Sequence, residues 1–301
     1  MIFSISDLQK FSGVQPQTIR MWEKRYNALQ PIRSEGNTRY YNDDQLKRLL
    51  NIVSLTQAGL KISKICKLSD DEIRQILQKE IHRTTSDDNQ VEYFISQLIN
   101  YALDYDAYTI DKLLSECINQ FEIPTTYKRI IHPLLTRVGL MWCQDSICPA
   151  QEHFLSGLIR QKLFAAINNI AASPGGVNPT WLLFLPEDES HDIGLLFAHY
   201  LLRQGNRRII YLGANVPFES IQEVMQQQRI DHMLFFFIHV RPVLEAEEYL
   251  QRLRNNFKNV SIYFSGNSKL INDLEFDSSI NRLKTMEEFE AAIEKTKMQN
   301  G

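Results

Sequence analysis

Residues Glu187-Asp188-Glu189-Ser190-His191-Asp192-Ile193-Gly194 gather the side chains best suited to hold a metal. Neutral imidazole is a common metal ligand, and His191 would supply it. A carboxylate two residues earlier, Glu189, can take the other ring N–H. That fixes the tautomer and raises ligand basicity. Gly194 has no Cβ and lets a bulky group approach the backbone closely. On spacing alone, a surface or helix-capping histidine stays open as the alternative. A second set lies near the start of the chain: Gln15, Gln17, Thr18, Arg20, Lys24 and Arg25, followed by Arg33, Arg39, Tyr40 and Tyr41. Gln reads adenine edges, and Arg reads guanine or holds phosphate. Arg33, Arg39, Tyr40 and Tyr41 suit backbone contacts, which go largely to phosphate. The alternative here is a protein-interaction domain with a solvated basic face.

The elements that must position these residues fall into three blocks. In residues 1–73, Ser6-Asp7-Leu8 opens a helix and Ser12-Gly13-Val14 breaks it. Pro16-Gln17-Thr18 then starts a second helix, which runs to Tyr26. Pro suits the first helical turn, and two helices split by a short Gly-containing turn make a helix-turn-helix. Pro31–Tyr41 reads as an extended hairpin with Gly36-Asn37 at its tip, the wing of a winged helix-turn-helix. Helices follow at Gln45–Gln57 and Ile62–Leu68. Residues 74–90 are polar and read as a linker, without the sustained heptad of a coiled coil. Residues 91–172 carry helical periodicity in four segments, with Pro133 kinking the third, Tyr127–Trp142, and suggest a four-helix bundle. From about 179 onward, short apolar runs (Trp181–Leu185, Arg208–Leu212, Met233–Ile238, Val260–Phe264) alternate with helical stretches. That alternation implies a parallel sheet covered on both faces, a Rossmann-like, flavodoxin-type domain over 179–301. Its ligands sit at the carboxyl ends of the strands, where His191 falls.

Charge follows the same partition. Residues 1–67 hold 11 Lys/Arg against 5 Asp/Glu, and the rest 22 against 31, a +6 head on a −9 body. The head suits a polyanion and the body does not. No apolar run approaches the roughly 18–20 residues of a spanning helix. No secretory signal stands at the start. Cys66, Cys117, Cys143 and Cys148 show neither CxxC nor zinc spacing, and the expected compartment is a reducing cytoplasm.

The stretch Gln17-Thr18-Ile19-Arg20-Met21-Trp22-Glu23-Lys24-Arg25-Tyr26, with Pro31-Ile32-Arg33, Asn37-Thr38-Arg39-Tyr40-Tyr41 and Leu46-Lys47-Arg48-Leu49-Leu50, closely resembles the MerR-type winged helix-turn-helix. The resemblance puts Arg20, Trp22, Arg25 and Tyr26 on the recognition helix and Arg39, Tyr40 and Tyr41 in the wing, against double-stranded DNA. It makes Trp22 and Tyr41 mainly packing residues. It also implies a homodimer or homotetramer interface other than the long coiled coil of the family's better-known members.

Further along, Glu189-x-His191-x-x-Gly194, then Leu195-Leu196-Phe197-Ala198, then Tyr211-Leu212-Gly213-Ala214-Asn215-Val216-Pro217, resembles the cobalamin-binding domain of the base-off, His-on type. By that resemblance His191 is the lower axial ligand of cobalt. Trp142, nine residues, then Glu152-His153 and Phe154-Leu155-Ser156-Gly157-Leu158-Ile159-Arg160 resemble the helical cap of CarH/LitR-type light-responsive regulators. There the Trp covers the upper axial face, and the Glu and His help bind the 5′-deoxyadenosyl group. The resemblance thus implies adenosylcobalamin between bundle and α/β domain, controlling oligomeric state and operator affinity, with light as a possible trigger, in a regulator that is not an enzyme. Ser265 and Gly266 stand where the family lines the buried nucleotide tail. The chain departs from the pattern in three places. Phe235-Phe236-Phe237-Ile238 carries no Ser-x-Leu, one Gly stands where two are usual, and Cys143 follows Trp142 where light-responsive members have His. Two alternatives follow, a regulator with a vestigial cobalamin fold and, more remotely, a cobalamin-dependent enzyme subunit.

Overall fold

A computed structural model describes residues 2–33, 38–57, 60–69, 72–73, 76, 87–142, 148–171, 179–239 and 241–298. The wing tip Gly36-Asn37, most of the stretch read as a linker, and Cys143 lie outside the described residues. The chain forms two compact units, Met1–Lys162 and Leu163–Gly301.

The first unit opens with α1 (Ile5–Ser12), α2 (Pro16–Tyr26), the two-residue strands β1 (Ile32–Arg33) and β2 (Arg39–Tyr40), α3 (Asp43–Gln57) and α4 (Ile62–Ile65). A capping box between Ser4 and Asp7 starts α1, and Gly13 at φ 73° ends it. Pro16 starts α2, and Asn27 at φ 51° stops it. β1 and β2 pair antiparallel, with Ile32 opposite Tyr40. This is the expected helix-turn-helix with its wing.

Four helices follow: α5 (Asp87–Leu103), α6 (Ala107–Thr126), α7 (His132–Trp142) and α8 (Pro149–Asn168). Two details differ from the sequence reading. Asp87–Gln90 of the polar stretch are helical and form the start of α5. The chain breaks at Glu122, whose φ of 60° and ψ of 165° are not helical, before Pro124. Pro133 enters α7 after a π-helical turn over Tyr127–Ile131. That wider turn accommodates a residue without an N–H, so the break lies upstream of the position where the sequence placed it.

Helix α3 is buried on all sides from Leu49 to Leu55. One side closes the head, and another packs on α5. Across this seam the Gln97 side-chain amide donates to Ser54 Oγ (2.7 Å) and to Asn51 Oδ1 (3.3 Å), and the Asn100 amide donates to Asn51 Oδ1 (3.0 Å). Lys47 pairs with Asp104 at its edge. The head and the helices after it therefore share one packed core.

The second unit is a five-stranded, all-parallel sheet: β3 (Thr180–Pro186), β4 (Arg208–Val216), β5 (His232–Phe237), β6 (Ser261–Gly266) and β7 (Ile280–Arg282), in the order β4-β3-β5-β6-β7. Between them run α9 (Ile193–Gln204), α10 (Phe218–Gln227), α11 (Val243–Asn256) and α12 (Ser268–Asp273), and α13 (Met286–Met298) follows β7. β3 is buried along its whole length because both faces are covered. On one face Leu182, Phe184, Phe235, Phe237, Ile262 and Phe264 pack with Phe218, Ile221, Leu250 and Leu253 of α10 and α11. On the other, Trp181, Leu183, Leu185 and Leu234 pack with Leu195, Ala198, Leu202, Phe289 and Ile293 of α9 and α13. Burying each such side chain stabilises the fold by about 1.5–3 kcal/mol. The strand order is the flavodoxin-like one, and its switch point lies between β3 and β5. No helix among the described residues is long and apolar enough to cross a membrane.

Candidate functional site

The loop after β3 turns at once. Glu189 N–H bonds back to Pro186 O (3.1 Å), and Asp188 sits at φ 64°. This tight turn points the Glu189 side chain inward, where it is fully buried. Its Oε1 meets His191 Nδ1 at 2.6 Å and accepts the His191 backbone N–H at 3.2 Å. Its Oε2 accepts the backbone N–H groups of Ile238 (2.8 Å) and His239 (2.6 Å), just past β5. The backbone oxygen of Glu189 accepts Asn215 N–H from the end of β4 (3.1 Å). One residue thus ties together three strand ends at the switch point. Burial alone would raise its pKa. The hydrogen bonds from the His191 ring, the His239 N–H and the His191 N–H outweigh burial and hold the carboxyl down to about 2.

The His191 side chain is about half exposed. With Nδ1 held by Glu189, Nε2 is the nitrogen a metal would take. Gly194 lies half-buried in the first turn of α9. Among the described residues no three His, Cys, Asp or Glu side chains converge on one metal position. The sheet face toward α9 holds buried polar atoms without hydrogen-bond partners. These are Trp181 Nε1 and His199 Nδ1, His199 stacking on Tyr211 at 5.1 Å. The residues present fit the group in one respect: His191 could ligate a metal through Nε2 with Glu189 orienting its ring.

Ser265 and Gly266 serve the sheet in this structure. Ser265 Oγ donates to Leu283 O at 2.6 Å. Gly266 has φ 152°, and a Cβ there would lie 2.0 Å from Phe237 O, so the close approach of β5 requires the glycine. Phe235 and Phe237 fill the core on one face, and Phe236 packs on the other.

In the first unit, Glu152 and His153 lie in the first turns of α8. Their side chains bond to each other (His153 Nδ1 to Glu152 Oε2, 2.6 Å), and the imidazole is largely exposed. Trp142 ends α7. Cys66, Cys117 and Cys148 are free thiols.

On α2, Ile19 and Trp22 turn inward, and Gln17, Arg20, Lys24 and Arg25 lie exposed along the outer face, with Gln15 exposed just before it. Thr18 and Tyr26 are half-buried. On the wing Arg33 and Tyr40 are exposed. Of the two readings of Tyr41, phosphate contact by residue type and packing residue by resemblance, its burial agrees with the second. It is 1% exposed, bridges to Phe3 through both backbone groups, and its hydroxyl donates to Glu23. Burial, then the Glu23 carboxylate, push its phenol well above the ordinary value. Arg39 is half-buried, with its Nε on Glu23 Oε2 at 3.0 Å. Sequence reasoning passed over Glu23, and the acidic charge inside a basic helix was the available signal.

Residues 3–78 match the family described as MerR HTH family regulatory protein, and residues 94–166 match the B12 binding domain. The chain carries a MerR-type head and a B12-binding helical domain. It is 28% identical to the HTH-type transcriptional repressor CarH of Myxococcus xanthus across 84% of both chains. It is likewise 28% identical to the repressor CarA of the same organism, across 83% of this chain and 82% of that one. The transcriptional regulator MlrA of Escherichia coli is 30% identical over 71 residues, 24% of this chain and 29% of that one. Among solved structures, the Methanosarcina barkeri monomethylamine corrinoid protein superposes with a TM-score of 0.53 at 15% identity, covering 67% of this chain and 97% of that one. That likeness concerns the fold alone. The helices after the MerR head are thus the part matched by the B12 binding domain, and the Glu189–His191 loop lies in the α/β unit that follows it.

Proposed function

We propose that this chain is a transcriptional regulator whose binding to duplex DNA is set by adenosylcobalamin. The observation that carries the proposal is the Glu189–His191 pair at the sheet's switch point, in a chain whose head is of the MerR type. The division proposed is a DNA-binding head at 1–73, a polar connection at 74–90, a helical cap at 91–172 and a cofactor domain at 179–301. His191 would hold cobalt, Glu189 would orient the His191 ring, and Trp142, Glu152 and His153 would help hold the adenosyl group. Ser265 and Gly266 would flank the tail. The group, when bound, supplies a cobalt–carbon bond that light can break. The chain's own part is electrostatic and steric: Glu189 keeps the His191 ring in one tautomer, and Gln15, Gln17, Thr18, Arg20, Lys24, Arg25, Tyr26, Arg33, Arg39 and Tyr40 address DNA. The working form is a homodimer or homotetramer in the cytoplasm, so that a change in assembly alters how many heads engage one operator.

The test is an absorption spectrum of the purified chain mixed with adenosylcobalamin, in the dark and after illumination, beside a gel shift on duplex DNA. The proposal expects a bound cobalamin spectrum, its loss in His191→Ala, and a DNA affinity that follows the cofactor. DNA binding indifferent to cofactor and light refutes it. A second reading is a MerR-type regulator that has kept the fold without the cofactor. It is favoured by Phe236 packed on the sheet and by the Ser265 hydroxyl committed to Leu283. It expects DNA binding with no cobalamin spectrum at any concentration.

A further inference from the structure

The recognition helix carries one carboxylate among its basic residues, Glu23, and its side chain is only 8% exposed. It does not face outward. Its Oε2 takes Arg39 Nε at 3.0 Å, and its Oε1 accepts the Tyr41 hydroxyl. Both partners belong to the wing: Arg39 lies in β2, and Tyr41 follows it. Tyr41 is fixed a second time, through backbone bonds with Phe3 of 2.7 and 2.9 Å. Glu23 is therefore a pin between the helix that reads the major groove and the strand that follows the backbone. An acidic group so close to DNA opposes binding electrostatically, so its presence needs another explanation. Holding Arg39 by Nε leaves the planar fork of its two terminal nitrogens in one fixed direction.

We infer that Glu23 is a positioning residue for DNA recognition: it fixes the reach and angle of the wing relative to α2, so that Arg39 meets phosphate at one register only. The inference rests on the reading that this head binds duplex DNA. It says more than that reading, because it assigns discrimination between duplexes to a residue that repels DNA.

The experiment uses the full chain and two duplexes, one enriched from a randomised library by the wild-type chain and one with the same composition scrambled. Glu23→Gln removes the charge and keeps an acceptor for Tyr41. Its affinity for the enriched duplex should fall about tenfold, the worth of one charge-assisted hydrogen bond. Affinity for the scrambled duplex should hold or rise, because a negative charge has gone. The slope of log affinity against log salt on the enriched duplex should drop by about 0.9, one phosphate contact. In an Arg39→Met background, Glu23→Gln should cost nothing further, since its action passes through Arg39. Tyr41→Phe, which keeps the ion pair, should reduce the ratio less. A parallel gain on both duplexes overturns the inference, because removal of charge then explains everything. A parallel loss with a lowered melting temperature overturns it too, because Glu23 then only supports the fold. A wild-type chain that enriches no duplex at all refutes the DNA-binding reading itself, a different result from either.

Discussion

Replacing Glu189 by Gln removes the charge that ties the loop after β3 to the residues just past β5, while the backbone bond from Asn215 stays. The carboxyl titrates at about 2 instead of its ordinary 4.5. That difference is worth about 3 kcal/mol of stability at neutral pH, at 1.36 kcal/mol per pKa unit. Direct counting agrees in scale. An amide can accept at one oxygen only, so its NH2 must face either the two backbone N–H groups of Ile238 and His239 or the two nitrogens of His191. A buried donor left without an acceptor costs about 1–3 kcal/mol, the same scale. Because the folded pKa lies below the unfolded one, this stability is complete above about pH 5 and disappears as pH falls toward 2. Urea unfolding of wild type and Glu189→Gln across this range is the assay, read as the difference between the two so that other carboxylates cancel. The gap should be about 3 kcal/mol at pH 7 and less than half of that near pH 3. Amide hydrogen exchange at Ile238 and His239 should accelerate in the variant at neutral pH. A constant gap between the two proteins, or unchanged exchange at both amides, refutes the reasoning.

Gly266→Ala puts a Cβ at 2.0 Å from the Phe237 carbonyl and at a φ side chains avoid; a loss of about 3 kcal/mol or more in thermal unfolding is expected. Asn51→Ala removes the acceptor shared by Gln97 and Asn100 in the seam between α3 and α5, and chemical denaturation should show a cost of about 1–3 kcal/mol. Lys24→Ala on the exposed face of α2 should weaken binding to enriched and scrambled duplexes alike and lower the salt slope by about 0.9, as seen in binding isotherms at several salt concentrations.

Much of the α/β unit was legible because each strand is an apolar run of its own. Trp181–Leu185 and Met233–Ile238 needed only local composition, and both are strands in the structure, ending within one residue of the reading. The His191 loop was legible for the same reason, since Glu189 and His191 are neighbours in sequence. The bonds from Glu189 to Ile238 and His239 span about fifty residues, and no pattern records them. By residue type alone Tyr41 suited a phosphate contact, and only the resemblance pointed to packing. Its burial depends on Phe3 and Glu23, which the fold brings from two other segments. The break near Pro133 was displaced because a π-helical turn absorbs the missing N–H and Glu122 carries the change of direction.

Local chemistry therefore determined, from the residues alone, a basic helix-turn-helix head, a helical middle and a parallel sheet with a histidine at a strand's carboxyl end. These are properties of hydrophobic period, capping and charge, which act over a few residues. Tertiary structure decided which groups meet. It buried Glu23 against the wing, Glu189 across the switch point, and Asn51 against α5. A buried polar group must find its partner wherever the backbone supplies one, and only the packed chain specifies where that is.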